Sequence, residues 1–322
     1  MNHPVKAFST VEDQVKLLRS RGLELDDEAQ ASQWLRSIGY YRLSGYWYPY
    51  RQPASAPQGS RKDVFIPGSS FNDVIRLYEF DRKLRTLIHD GIERIEVAMR
   101  AQVSAYLGKI SPLAYQDPTN FRPSFDHKRW ADIVNKRVNR ARTHSEPVRH
   151  HDQKYGGSLP IWVLTEVLDF ADVSRLFEGL PAAAQWRIAG ELGIHIDTSS
   201  LSRSQRARAK KLHPMVRWLE QLTVLRNTGA HHSRLWNRNF VPVATAALRT
   251  VEDPQALPEG ESKRVYGALV LMTFLLRHIS PGTTWGLKAC DLVEESFQAL
   301  SYRSPQEMGF PAGWRSLPIW TP

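Results

Sequence analysis

The clearest periodic signal in the chain starts at Ser70, which pairs with Asp73 as a capping box. It runs on through Val74, Leu77, Leu84, Ile88, Ile92 and Ile95 at three- and four-residue steps. That period predicts one long helix, or two meeting near Gly91, over residues 71 to about 107. Its polar face carries Arg82, Arg85, His89, Glu93, Arg94, Glu96 and Arg100. Upstream, Thr10 with Asp13 opens a short helix on Val11, Val15 and Leu18 that Gly22 stops. Asp26 or Asp27 caps a second, with Ala29, Trp34, Leu35 and Ile38 inward. Residues 40–50 are too aromatic for a solvent loop, and Gly45 and Pro49 argue against a helix there, which predicts an irregular slab or short hairpin packed in the core. Residues 53–62 have the composition of an exposed, mobile loop. The expected organisation is an N-terminal helical and aromatic subdomain over 1–62, packed on a helical domain over 63–322.

Further along, residues 125–142 form a basic amphipathic pattern. Trp130, Ile133, Val134 and Val138 face inward, and Lys128, Arg129, Lys136, Arg137, Arg140 and Arg142 face outward. Such a face suits contact with an RNA backbone, or is simply a solvated helix surface. Pro160 suits a first helical turn, and residues 161–177 are apolar enough to sit in the core. Residues 202–211 carry Arg203, Arg206, Arg208, Lys210 and Lys211 without an acid, and read as a flexible basic loop. Pro214 then opens a helix anchored by Val216, Leu219, Leu222 and Leu225. The most apolar stretch, residues 265–276, is shorter than the roughly 20 residues a membrane span needs, so it reads as a buried core helix. A last helix covers about 287–300, and the Pro- and Trp-rich tail from Pro305 is expected to wrap the surface. With no strand-rich zone, the fold class is all-α.

Composition narrows the chemistry. The 322 residues bear a formal charge of +10 and the pI is about 9.7, which points to a polyanionic partner. The single cysteine, Cys290, excludes an intrachain disulfide framework and a Cys-based zinc site, and fits a reducing cytoplasm. Residues 1–10 hold no apolar run of secretory length, and neither a membrane nor a cofactor is called for. His150 and His151 are adjacent, so their side chains diverge, and no spaced partner ligands accompany them; no metal site is expected.

The densest chemistry lies in residues 225–238, where three Arg, two His and two Asn occupy fourteen positions. Arg226 can clamp a phosphate bidentately and His231 can exchange a proton near neutral pH, which together supply the minimum for metal-free phosphodiester cleavage. The alternative is a polar helix end whose Arg and His cover a neighbouring apolar surface. On a regular helix the two side chains stand about 140° and about 7.5 Å apart, so one copy encloses a phosphate poorly. A two-fold dimer would gather two Arg226 and two His231 over one cleft, although Gly229 inside the motif would loosen the helix locally.

Six ordered blocks resemble the abortive-infection (Abi) proteins of bacteria. They are residues 38–46 (IGYYRLSGY), 77–85 (LYEFDRKLR), 92–96 (IERIE), 159–162 (LPIW), 226–238, and the tail MGFP at 308–311 with Trp314 and Trp320. Abi proteins are similar in turn to the HEPN superfamily, whose RNase members carry an Arg, four to six residues, then a His. The resemblance implies a HEPN-like helical bundle with an N-terminal helical extension, acting as a homodimer. It also implies a metal-independent, toxin-like endoribonuclease restrained until phage infection. In its terms Arg226 stabilises the phosphorane, Asn227 holds the phosphate or orients the histidine, and His231 is the general acid or base, with His232 as the alternative. Glu93, Arg94 and Glu96 would line the groove beside them, with Arg234 and Arg238 adding to RNA binding. The reaction implied is attack of the ribose 2′-hydroxyl, leaving a 2′,3′-cyclic phosphate. The basic run at 202–211 looks longer than the family's usual connection and would suit RNA capture. Inactive HEPN relatives keep a second reading open, a non-catalytic, antitoxin-like RNA-binding protein. RNA is the partner in either case, as substrate or as a regulatory non-coding RNA.

Overall fold

The computed structural model describes residues 5, 7–56, 59–241, 245–251, 257 and 261–321. Among them are fourteen α-helices and no strand beyond two isolated bridges, Glu24 with Ser70 and Arg51 with Phe65. The all-α expectation therefore holds. The chain divides into two compact units, Met1–Leu84 with Asp291–Glu307, and Arg85–Cys290 with Met308–Pro322. The boundary read at residue 62 falls inside the first of these.

In the first unit, α1 (Val11–Ser20) is capped by Thr10, whose Oγ1 accepts the Asp13 N–H at 3.2 Å. Asp27 caps α2 (Glu28–Ile38) through the Gln30 N–H at 3.0 Å. The aromatic segment is helical where an irregular slab was expected: α3 (Tyr40–Trp47) runs straight into a 3-10 turn, Tyr48–Tyr50. Leu43, Tyr46, Trp47 and Tyr50 are buried, and their i, i+3, i+4, i+7 spacing is a helical stripe that Gly45 and Pro49 disguised. Pro49 arrives only after the α-helix has ended, where its fixed φ costs nothing. Core packing of the rings is as expected: Tyr46 donates to Asp81 at 2.7 Å and stacks edge-on with Tyr78, and Arg303 lies 4.9 Å from the Tyr50 ring centre. The loop at 53–62, of which Pro57 and Gln58 lie outside the described residues, is closed by the Lys62 N–H on the Gln52 carbonyl at 3.1 Å.

A single unbroken helix, α4 (Phe71–Ile110), supplies residues to both units, so no second helix starts at Gly91. In the second unit follow α5 (His127–Ala141), α6 (Glu146–Tyr155), α7 (Ile161–Val167), α8 (Phe170–Gly179), α9 (Ala182–Glu191) and α10 (Arg203–Lys211). After them come α11 (Met215–Ala230), α12 (Thr245–Leu248) and α13 (Val265–Ile279). The last helix, α14 (Trp285–Gln298), again contributes to both units. α11 packs on α8 and α13, and residues 265–276 of α13 are buried throughout, as a core helix requires. No helix among the described residues is long and apolar enough to cross a membrane. The tail does more than wrap a surface: Phe310, Ile319 and Trp320 are buried, and the Tyr266 ring of α13 lies 4.6 Å from Phe310 and 5.9 Å from Trp320.

The expected basic loop at 202–211 is helix α10. Ser202 and Gln205 cap it reciprocally, at 3.3 Å and 3.0 Å. Arg, Lys and Ala are strong helix formers, and Arg208, Lys210 and Lys211 stand in the last turn, where positive charge suits the helix dipole.

Gly91 is needed for close approach. A Cβ there would meet Met272 Cε at 2.6 Å and the Trp285 ring at 2.8 Å. That ring cannot retreat freely, because its Nε1 donates to the Leu87 carbonyl at 2.8 Å. Gly91→Val should therefore lower unfolding free energy by about 1–3 kcal/mol through overpacking, read as a lower urea midpoint. An unchanged midpoint would contradict this packing.

Candidate active site

The residues singled out in the sequence sit where α11 ends. Met215, Val216, Trp218, Leu219, Leu222 and Leu225 bury the helix, and its last turn carries Arg226, half-buried, and Asn227, exposed. The Arg226 Nη1 donates to Asn227 Oδ1 at 3.2 Å. Gly229 does not loosen the helix, which continues to Ala230. The chain then closes in a Schellman turn. The His232 N–H donates to the Gly229 carbonyl at 2.9 Å, and the Ser233 N–H to the Thr228 carbonyl at 3.1 Å. His231 is the exposed C-cap, and His232 takes the left-handed position, φ 54°, that glycine usually fills. The regular-helix geometry that set Arg226 and His231 about 140° apart thus ends before the histidines are reached. Buried Leu235 and Trp236 anchor the strand of chain beyond.

α4 supplies the opposite wall. Arg85, His89, Glu93, Glu96 and Arg100 follow one another at three- and four-residue steps on one face. The His89 ring rests on Gly229: a Cβ at Gly229 would lie 3.0 Å from His89 Nε2 and 3.9 Å from Arg85 Cγ. A larger residue at 229 would displace the imidazole, which accounts for glycine inside a helix. His89 is held below the ordinary imidazole range, chiefly by burial and then by the neighbouring Arg226 and His232 charges. The neighbouring Gly229 backbone, which favours the protonated ring, opposes this only in part.

Glu96 completes the cluster. Burial raises its pKa, while Arg100, its ion-pair partner, and then Arg226 pull it down. Arg100 is itself fixed by the Leu168 carbonyl at 2.8 Å. Glu93 is exposed beside Glu96. Arg94 turns elsewhere, to Asp90 at 3.1 Å and Thr283 Oγ1 at 3.4 Å. The fold therefore gathers Arg226, His232, His89 and Glu96 electrostatically in one chain, and His89 is the member that sequence reasoning missed. Its helix period was legible; that it would face a glycine 140 residues away was not.

The residues read as RNA contacts separate into two groups. Lys128, Arg129, Lys136 and Arg140 on α5, Arg203, Arg208, Lys210 and Lys211 on α10, and Arg238 are exposed. Arg137 is instead tied to Asp169 and, at 3.1 Å, to Asp172. Arg206 donates to the carbonyls of Thr198 at 2.9 Å and Ser199 at 2.6 Å, holding the turn before α10. Arg234 is half-buried. His150 and His151 stack on Tyr155, and no group of three or more His, Cys, Asp or Glu among the described residues could hold a metal ion.

A family model described as Abi-like protein matches residues 33–237, more than half of the chain. The chain belongs to the Abi-like protein family. The match takes in the whole cluster of this Abi-like chain, from His89 on α4 to His232, and stops before the Trp-rich tail. Membership connects the protein to abortive infection. No curated protein and no solved structure matches it.

Proposed function

We propose that this protein is a metal-independent endoribonuclease of a HEPN-type anti-phage system, with the end of α11 and the face of α4 as its active site. The observation that carries the reading is the convergence of a guanidinium, two imidazoles and a carboxylate at a helix end shaped by Gly229 and a strained His232. Backbone strain held at a non-glycine residue is the sort of feature that collects at functional sites.

In this reading His89 is the general base. Held below its ordinary range, the ring is neutral at pH 7 and one of its nitrogens carries a lone pair. It takes the proton of the ribose 2′-hydroxyl as that oxygen attacks phosphorus. Arg226 stabilises the charge gathering on the phosphorane, steadied by Asn227. His232 returns a proton to the departing 5′-oxygen, leaving a 2′,3′-cyclic phosphate and a 5′-hydroxyl. We assign that role to His232 rather than His231 because the His232 charge acts on His89; both rings are exposed. One copy holds both proton carriers; the homodimer proposed from HEPN resemblance adds a second such set. The exposed cations of α5 and α10 would carry the RNA backbone.

The test is a pH profile of single-turnover RNA cleavage. Because burial and Arg226 depress His89, the acidic limb of the profile should rise with pH through a midpoint below the ordinary 6.5, and His89→Gln should remove that limb. An acidic limb that survives His89→Gln would exclude His89 as the base. The non-catalytic reading would show as RNA binding with steep salt dependence and no cleavage at any pH.

A further inference from the structure

The block LPIW at 159–162 ends in Trp162, the exception among the chain's ten Trp. Every other Trp is buried or half-buried, whereas Trp162, in the first turn of α7, is exposed. Its ring rests on the backbone of α4: a Cβ at Gly108 would touch the ring atoms at 3.5 and 3.6 Å. Glycine is a poor residue for a helix interior, so this seating of an exposed aromatic works against the stability of α4.

Beside the ring, between α4 and α7, lies an open groove of about 540 Å³. Its floor is shallow because Ala101, Ala105 and Gly108 are small, and Ala101 and Ala105 are exposed. The buried hydroxyls of Ser104 and Thr165 bond to each other at 2.8 Å and so satisfy one another beneath it. Along α4 the groove begins at Val97, about 12 Å beyond His89, and ends at exposed Lys109, about 30 Å beyond it. Arg100 lines the end nearer His89 and pairs with Glu96, which joins the groove to the cluster around Arg226. Glu166, the one acid in the lining, lies 4.0 Å from Arg100.

We propose that this groove carries the single strand of RNA away from the scissile phosphate, with an unpaired base stacked on Trp162 and a backbone phosphate at Lys109. The inference rests on the cleavage reading and adds a substrate subsite to it. RNA is the occupant because the chain bears +10, the groove leads out of a cluster that holds a guanidinium for phosphate, and an exposed indole is the kind of surface on which bases stack. The floor offers no unmet polar group to read a base edge, so the subsite selects unpaired bases and not a sequence. A base inside a duplex is already stacked and cannot take the position.

Fluorescence anisotropy of labelled single-stranded RNA on the full chain tests this, with His89→Gln as the background so that substrate is not consumed. Trp162→Ala removes the indole, Trp162→Phe keeps a smaller ring, and Ala105→Leu obstructs the floor at an exposed position. The same RNA with abasic residues supplies a backbone that cannot stack. Trp162→Ala and Ala105→Leu should each weaken ordinary RNA by about tenfold or more, and Trp162→Phe should stay within a few-fold of the parent. Abasic RNA should bind the parent more weakly and be indifferent to Trp162→Ala, and changing the base order should matter little. Unchanged affinity of ordinary RNA for Trp162→Ala overturns the proposal, as does an equal loss for ordinary and abasic RNA. A change of molecular mass in sedimentation by Trp162→Ala, with RNA affinity intact, would assign the groove to a second copy of the chain and overturn it too. Base-dependent binding through Trp162 by a protein that never cuts RNA would remove the cleavage reading alone, and cleavage with an RNA affinity indifferent to Trp162 would remove this subsite alone.

Discussion

His232→Gly should yield a protein that is more stable and nearly inactive. His232 occupies the left-handed position of the Schellman turn that ends α11. An L-residue held there costs roughly 1–2 kcal/mol, which glycine avoids. Glycine gives back about 0.4–1 kcal/mol through the freedom of the unfolded chain, so the net gain is about 0.5–1 kcal/mol. The two hydrogen bonds of the turn are made by backbone and survive the change. If His232 delivers the proton to the leaving oxygen, cleavage should nevertheless fall by about 10²–10⁴, the usual contribution of a general acid. A urea melt and a single-turnover rate on the same preparation read both effects. His231→Gly gives the control, since the exposed C-cap carries no such strain and no coupling to His89. Retention of the rate to within a few-fold in His232→Gly would move the proton carrier to His231.

Arg226 should be as demanding of its chemistry as His232 is of its position. Removing one preorganised group that stabilises charge in a transition state costs about 10²–10³ in rate, which is expected of Arg226→Ala. Arg226→Lys should recover little of that loss, because a point charge on a flexible stem cannot offer the planar fork that clamps two phosphate oxygens. Arg226→Ala also relieves His89 of an adjacent positive charge, which is one of the causes of its lowered pKa. The acidic limb of any residual activity should therefore move toward higher pH in Arg226→Ala. Full recovery by lysine would mean that Arg226 acts through charge alone.

How far the sequence disclosed this depends on where the information resides. Periodicity located α4, α5 and α11, each of which buries an apolar stripe, and an unbroken apolar run located α13, which is buried throughout residues 265–276. It failed where local residue types concealed a period. Gly45 and Pro49 hid the stripe of α3, and a run of five cations made α10 look unstructured although Ser202 and Gln205 were in place to cap it. For the site, Arg226 and the two histidines stand out in one short stretch. Their geometry did not, because the helix stops at Ala230 and the turn that follows sends His232 into a conformation that residue identity alone would not assign to it. His89 was visible only as one of seven polar residues on a helix face. Its significance comes from contact with Gly229, and a contact between distant segments is set by tertiary packing. Arg137 and Arg206 mark the same limit: they look like RNA contacts in the sequence and prove to be tied to carboxylates and carbonyls of their own chain.

The most direct measurement is cleavage of end-labelled single-stranded RNA in excess EDTA by wild type and by His89→Gln, with the fragment ends identified. The account predicts that wild type cuts without metal and leaves 2′,3′-cyclic phosphate and 5′-hydroxyl ends, and that His89→Gln binds the RNA as tightly yet cuts at least about a hundredfold more slowly. Cleavage that stops in the chelator, or that proceeds equally well without the His89 imidazole, would contradict it.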